Sequence, residues 1–136
     1  MPDYYDAAQR HWDDANHLLS RARLPNADQL FGLSAECALK AIMLPLGMPM
    51  NSGRPADSRK HGHINVLWDE FITFASGKGQ AHYAAALGAT NPFVNWEVGQ
   101  RYEHASVVNL QIVTDHRNSA EIAFGCLAQA VVDGVV

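Results

Sequence analysis

Apolar residues in the first 22 positions recur every three or four residues, at Tyr5, Ala8, Trp12, Ala15, Leu19 and Ala22, with charged and amide side chains between them. That period puts one apolar stripe on an α-helix running from Asp3 to Ala22. Arg21 and Arg23 stand at its end, where the negative pole of the helix dipole favours cations, and Pro25 is expected to stop it. Asn26 then offers a side-chain oxygen to cap a second helix, "ADQLFGLSAECALKAIML", which is apolar nearly all the way round. Such a helix belongs at the centre of a helical core. Glu36 and Lys40 are its only charges beyond the first turn. At i and i+4 they read either as a surface pair contributing about 0.2–0.5 kcal/mol, or as residues lining a cleft or subunit interface, because the helix leaves so little exposed face.

Pro45, Gly47 and Pro49 end this helix and open a loop that runs to about His61. Ile64, Leu67, Trp68, Phe71, Ile72 and Ala75 then fall on one face of a third amphipathic helix, stopped by Gly77 and Gly79. "QAHYAAAL" is a short helical segment ended by Gly88, and "GATNPFVNW" is rich in turn residues. From about Ser106 to Val132 the pattern Val108, Ile112, Val113, His116, Ala120, Ala123, Leu127, Ala130 and Val131 predicts a long closing helix. No internal repeat and no strand pair with hairpin turn chemistry stands out. The predicted architecture is all-α: a single domain over residues 1–136, an up-and-down bundle of four main helices plus one short helix, with antiparallel neighbours.

Composition narrows the class. With 48% hydrophobic and 18% charged residues, the chain is neither a disordered acidic polymer nor a fibrous one. A net charge of -4 gives no overall pull toward nucleic acid or an anionic membrane, so any RNA or phosphate contact has to be local. The one basic cluster, "RPADSRKHGH", reads as a solvated loop. Cys37 and Cys126 sit in apolar helical patterns and are expected to be small core residues in a reducing compartment. Glu36, Lys40, Asp115 and Arg117 break the longest apolar runs, and "MPDYYDAAQRHWDD" lacks the pattern of a secretory leader. A cytoplasmic protein without a membrane partner is the expectation.

Several chemistries have no motif here: no P-loop, no GxGxxG after a strand, no paired cysteines at metal spacing and no HExxH. No cofactor and no metal site are expected. His61 and His63 would chelate a metal only if His82, His104 or His116 converged on them; otherwise one helps cap the third helix and the other is solvated. In "WEVGQRYEHAS", residues 96–106, a helical backbone would put Arg101 and His104 on one face. His116 lies within the apolar stripe of the last helix, so it is either a satisfied core residue or a groove histidine facing Arg101. In the second case it would be a general acid or base, its ordinary pKa lying near neutrality.

The helix carrying "AECALK" (residues 35–40), the "HGHI" that opens the third helix, "RY" at 101–102 and the long final helix together resemble the HEPN family, the higher eukaryote and prokaryote nucleotide-binding domains. The resemblance covers most of the chain. It implies a bundle of four or five helices, commonly a homodimer, in toxin-antitoxin or phage-defence systems. Many such proteins are metal-independent endoribonucleases; others bind nucleotides, partner a nucleotidyltransferase, or have no activity. Active members place an arginine four to six residues before a histidine, late in the fold, and two such sites meet across the dimer. The arginine stabilises phosphoryl charge and the histidine assists attack of the 2′-hydroxyl.

By this resemblance Arg101, His104 and His116 would be catalytic, and Glu36, Lys40, His63 and Tyr102 would bind RNA or nucleotide. The sequence departs from the motif, because only Tyr102 and Glu103 separate Arg101 from His104, and Glu103 would repel a phosphate. Spacing that fits does occur at Arg10 with His17 and at Arg54 with His61, in the first helix and the loop. About one such hit is expected by chance from this composition, so neither decides anything. The expected function is a HEPN-like RNA- or nucleotide-binding protein of a bacterial toxin-antitoxin or defence system, with metal-independent endoribonuclease activity left open by the imperfect motif. The alternative is a non-catalytic binding module such as a nucleotidyltransferase partner, an antitoxin or an immunity protein.

Overall fold

Asp3 starts the chain's first helix by accepting a hydrogen bond from the backbone N–H of Asp6 at 2.9 Å. A computed structural model describes residues 1–136, and its element order is α1 (Tyr4–Ser20), α2 (Leu24–Met43), a two-strand ladder β1 (Met50–Asn51) and β2 (Arg54–Pro55), α3 (Ile64–Gly77), α4 (Ala81–Leu87) and α5 (Leu110–Val132). Two short 3-10 helices, Val98–Tyr102 and Ala105–Val107, lie between α4 and α5. The fold is all-α, with four long helices and one short one. No helix is long and apolar enough to cross a membrane.

The central place expected for the second helix is where α2 lies. Its residues from Ala35 to Met43 are all buried, and it packs against α1, α5 and α3. The main hydrophobic cluster gathers Leu39, Ile42 and Met43 of α2 with Trp68 and Phe71 of α3, Phe93 and Trp96 of the turn-rich segment, and Leu127 of α5. Burying large apolar side chains of this kind contributes roughly 1.5–3 kcal/mol each. Cys37 and Cys126 are buried too, and burial pushes both thiols up to about 12, so neither is a ready nucleophile.

Local details differ from the sequence expectations. Helix α1 ends at Ser20, and α2 begins at Leu24 with Pro25 inside its first turn, where a missing N–H costs nothing. Asn26 therefore caps nothing. The turn between them has Ala22 at φ 56, with the backbone N–H groups of Arg21 and Arg23 donating to the Leu18 carbonyl. The buried stripe of α1 runs through Ala8 and Ala15, and it is Tyr4 that packs on the core while Tyr5 is 50% exposed. The 45–61 loop contains a hairpin the sequence reading did not foresee: Ser52 (φ 52) and Gly53 (φ 77) form a two-residue turn between Asn51 and Arg54. The last helix starts at Leu110, later than expected, capped by Asn109, whose side chain accepts from the Ile112 N–H at 2.9 Å.

Gly32 lies in the middle of α2, where glycine costs helix stability, because the indole of Trp96 occupies the space a Cβ would need at that point of the helix. The Trp96 Nε1–H donates to the Asp28 carbonyl at 3.0 Å, and the Gln29 amide donates to the Glu97 carbonyl at 2.8 Å. These two contacts fix the 96–101 segment to α2.

Candidate functional site

Residues 96–106 do not form one helix. Glu97 and Gln100 bond reciprocally, side chain to backbone, as a capping box for the 3-10 turn Val98–Tyr102. Glu103 and His104 then take extended backbone conformations, and a second 3-10 turn follows. Arg101 and His104 therefore do not share a helix face. The guanidinium of Arg101 sits 4.9 Å from the ring centroid of its neighbour Tyr102, which is itself 80% exposed. His104 turns to its own loop, its Nδ1 meeting the Ser106 hydroxyl at 3.0 Å and the Ser106 N–H at 3.1 Å. Arg101 makes no ion pair with Glu103 or Glu36.

His116 takes the core alternative. It is 1% exposed, its Nδ1 lies 2.6 Å from Asp28 Oδ1, its Nε2 lies 2.7 Å from the Asn95 side-chain amide, and Phe93 stacks on its ring. Both ring nitrogens are committed and neither reaches Arg101. The ring ties α5 to α2 and to the turn-rich segment, a structural task.

The residues that do come together are Glu36, Lys40 and His63. Glu36 and Lys40 form a buried pair at 2.9 Å, their side chains 8% and 7% exposed, which corrects the surface-pair alternative. Lys40 also donates to the Gly62 carbonyl at 2.7 Å and lies over the Tyr4 ring. The second carboxylate oxygen of Glu36 accepts from His63 Nδ1 at 3.2 Å. His63 occupies the N-cap position of α3, yet its side chain makes no capping bond and goes to Glu36 instead. His61 is not solvated either, since its ring packs edge-on against Phe74 with Nδ1 buried. The His63 side chain is 50% exposed, so its Nε2 is open to solvent while Nδ1 is held.

That hydrogen bond to Glu36 is the main reason His63 binds its proton more tightly than an ordinary histidine; burial and the positive charges of Lys40 and Arg101 pull the other way. Arg101 exerts the weakest of these influences, and no hydrogen bond or ion pair joins it to His63. Arg101 also lines a groove of about 340 Å³ with Leu18, Asn26, Gln29, Leu30 and Leu33.

No family model, no curated protein and no solved structure matches this chain.

Of the residues expected at the site, Glu36, Lys40 and His63 assemble, while Arg101 makes no hydrogen bond or ion pair with them. Tyr102 carries the Arg101 guanidinium, whereas His104 and His116 stand apart. No three His, Cys, Asp or Glu side chains converge in metal-ligating geometry. Sequence reading missed the polar surface around the groove: Asn26, Gln29 and, at the turn between α1 and α2, Arg21 and Arg23. One sequence signal could have found those two arginines, because neither has a carboxylate three or four residues away.

Proposed function

We propose that the chain is a HEPN-like helical protein of a bacterial toxin-antitoxin or defence system, and that it binds RNA or a nucleotide through the face carrying Arg101 and His63. Four long helices plus a short one, "AECALK" inside the buried α2 and "HGHI" at the start of α3 support the HEPN-like part. The observation that carries the binding part is Arg101 itself. In a chain of net charge -4, its guanidinium has no carboxylate partner and stands at the rim of a groove. A free guanidinium suits a phosphate oxygen. In this reading the chain works as a homodimer or beside a cognate toxin, antitoxin or nucleotidyltransferase. The exposed apolar residues Tyr102, Val107 and Leu110 offer a contact surface next to the site.

A second reading, metal-independent endoribonuclease, draws on the Glu36–His63 pair. A ring fixed by a carboxylate at Nδ1, with Nε2 open, is how proteins orient a general base. His63 would then take the role the family motif gives to the histidine after the arginine.

One set of measurements separates the two. Anisotropy of a labelled single-stranded RNA is expected to show about tenfold weaker binding for Arg101→Ala, the equivalent of about 1.4 kcal/mol. Wild-type affinity in both Arg101→Ala and His63→Gln refutes the binding site. Incubation of total RNA with protein in EDTA tests catalysis. Cutting by the wild type that His63→Gln loses establishes the second reading, and intact RNA over a wide protein range removes it.

A further inference from the structure

The groove beside Arg101 shares Leu18 with a second concavity of about 590 Å³, lined by His17, Arg21, Ala22 and Arg23. Both border Leu18 at the corner where α1 turns into α2. Its cations, Arg21, Arg23 and Arg101, have no ion-pair partner, while Arg10 and Arg117 elsewhere each hold a carboxylate. Helix α2 also begins there with no side-chain cap, leaving the positive end of its dipole open. The groove floor is apolar, formed by the partly buried Leu18, Leu30 and Leu33. At its edge, Gln29 is 7% exposed and its Nε2 is committed to the Glu97 carbonyl at 2.8 Å. Its amide oxygen has no partner and is not among the sealed polar atoms, so it is open to the groove as a fixed acceptor.

We infer that this corner binds a nucleoside phosphate unit, with the base on Leu18, Leu30 and Leu33, its exocyclic amine donating to Gln29, one phosphate on Arg101 and neighbouring phosphates on Arg21 and Arg23. The inference rests on the RNA- or nucleotide-binding reading and gives it a base preference. A pinned acceptor favours the projecting exocyclic amines of adenine, cytosine and guanine over uracil, whose one edge donor, N3–H, sits between two carbonyls that repel the Gln29 oxygen. The apolar floor takes the base face without regard to its identity, and the arginines take the backbone. The volume of about 340 Å³ lies at the small end of ligand pockets, enough for one base and its sugar.

The test uses the full chain and two labelled oligonucleotides, oligo(A) and oligo(U), with adenosine monophosphate as competitor. Oligo(A) is expected to bind about fivefold more tightly than oligo(U), and Gln29→Met is expected to erase that ratio. Three phosphate contacts predict a slope of log affinity on log salt of about -2, falling to about -0.7 in the Arg21→Ala, Arg23→Ala variant, whose changes are on the exposed turn. Displacement by the mononucleotide assigns the corner to free nucleotide, and resistance to it assigns the corner to a strand; either supports the inference when the base ratio and the salt slope behave as stated. Equal binding of both oligonucleotides with an unchanged slope overturns the inference. If Arg101→Ala still weakens binding in that case, the broader reading stands. Wild-type protein that binds neither RNA nor nucleotide overturns both.

Discussion

Adding a methyl group at Gly32 tests how the fold and the site are joined. A Cβ built there collides with Cε2 and Nε1 of Trp96 and comes within 2.6 Å of Cζ2, well inside van der Waals contact. The indole has nowhere to retreat, because it is fully buried and its N–H is held by the Asp28 carbonyl at 3.0 Å. Overpacking of this kind costs about 1–3 kcal/mol, and losing the indole hydrogen bond adds about 1 kcal/mol. Alanine returns about 1 kcal/mol of helix propensity, so Gly32→Ala is expected to lower stability by about 2 kcal/mol. In a domain of this size that is a fall of roughly 8 °C in Tm. Urea unfolding measures the free energy, and RNA anisotropy on the same samples measures the effect at the site. Because Trp96 leads directly into the 3-10 turn bearing Arg101, the variant is also expected to bind RNA several-fold more weakly under conditions where it is fully folded. In a Trp96→Phe background the collision partner is smaller, and most of the Gly32→Ala penalty should disappear. Equal penalties in both backgrounds refute the claim that the indole is the reason for glycine at 32.

Three further outcomes follow. Lys40→Ala leaves Glu36 buried without its nearest cation and is expected to cost about 3 kcal/mol in urea unfolding, whereas a joint Glu36→Leu, Lys40→Met change should cost less than the single one. His63 has its pKa raised in the folded state, so its contribution is fully present below about pH 6.5 and fades as pH rises through the folded value. The stability difference between wild type and His63→Gln should therefore shrink from pH 6 to pH 8; a difference that grows with pH removes Glu36 as its cause, and the opposite-signed effect of half-buried His11 cancels in the comparison. Replacing His116 by alanine strands the Asp28 carboxylate in the core and should cost about 3 kcal/mol while leaving RNA affinity at Arg101 unchanged where the protein is folded, as read by anisotropy.

How much of this was legible in the chain depends on range. Helical period located all five helices, and in α3 it identified Ile64, Leu67, Trp68, Phe71 and Ala75, which are buried, and Ile72, which is half-buried. It failed by one residue on α1, where Tyr4 and Tyr5 are adjacent and both sit near the apolar face. The choice falls to Tyr4 because its ring lies under the Lys40 ammonium, 5.7 Å from the centroid, a contact no local pattern contains. Pro25 was read as a stop when it lies inside a helix start, and proline suits either place. The hairpin at Ser52 and Gly53 has only a two-residue ladder, too short to leave an alternating signature.

The site was less legible because its ties span the sequence. His63 reaches Glu36 across 27 residues, His116 reaches Asp28 across 88, and Trp96 reaches Asp28 across 68. The sequence paired Arg101 with His104 on the assumption of a helix, and the Glu97 capping box, the 3-10 turn and the extended Glu103 remove that assumption. Arg101 and His63 are instead each positioned by α2: His63 through Glu36, and the 96–101 segment through Asp28 and Gln29. If α2 served only the core, apolar residues of similar size at 36 and 40 would serve as well as a buried ion pair, often better. Glu36 does something an apolar residue cannot, which is to accept the His63 Nδ1–H and leave Nε2 facing outward. The buried pair is therefore best explained as the support of the half-exposed His63 imidazole.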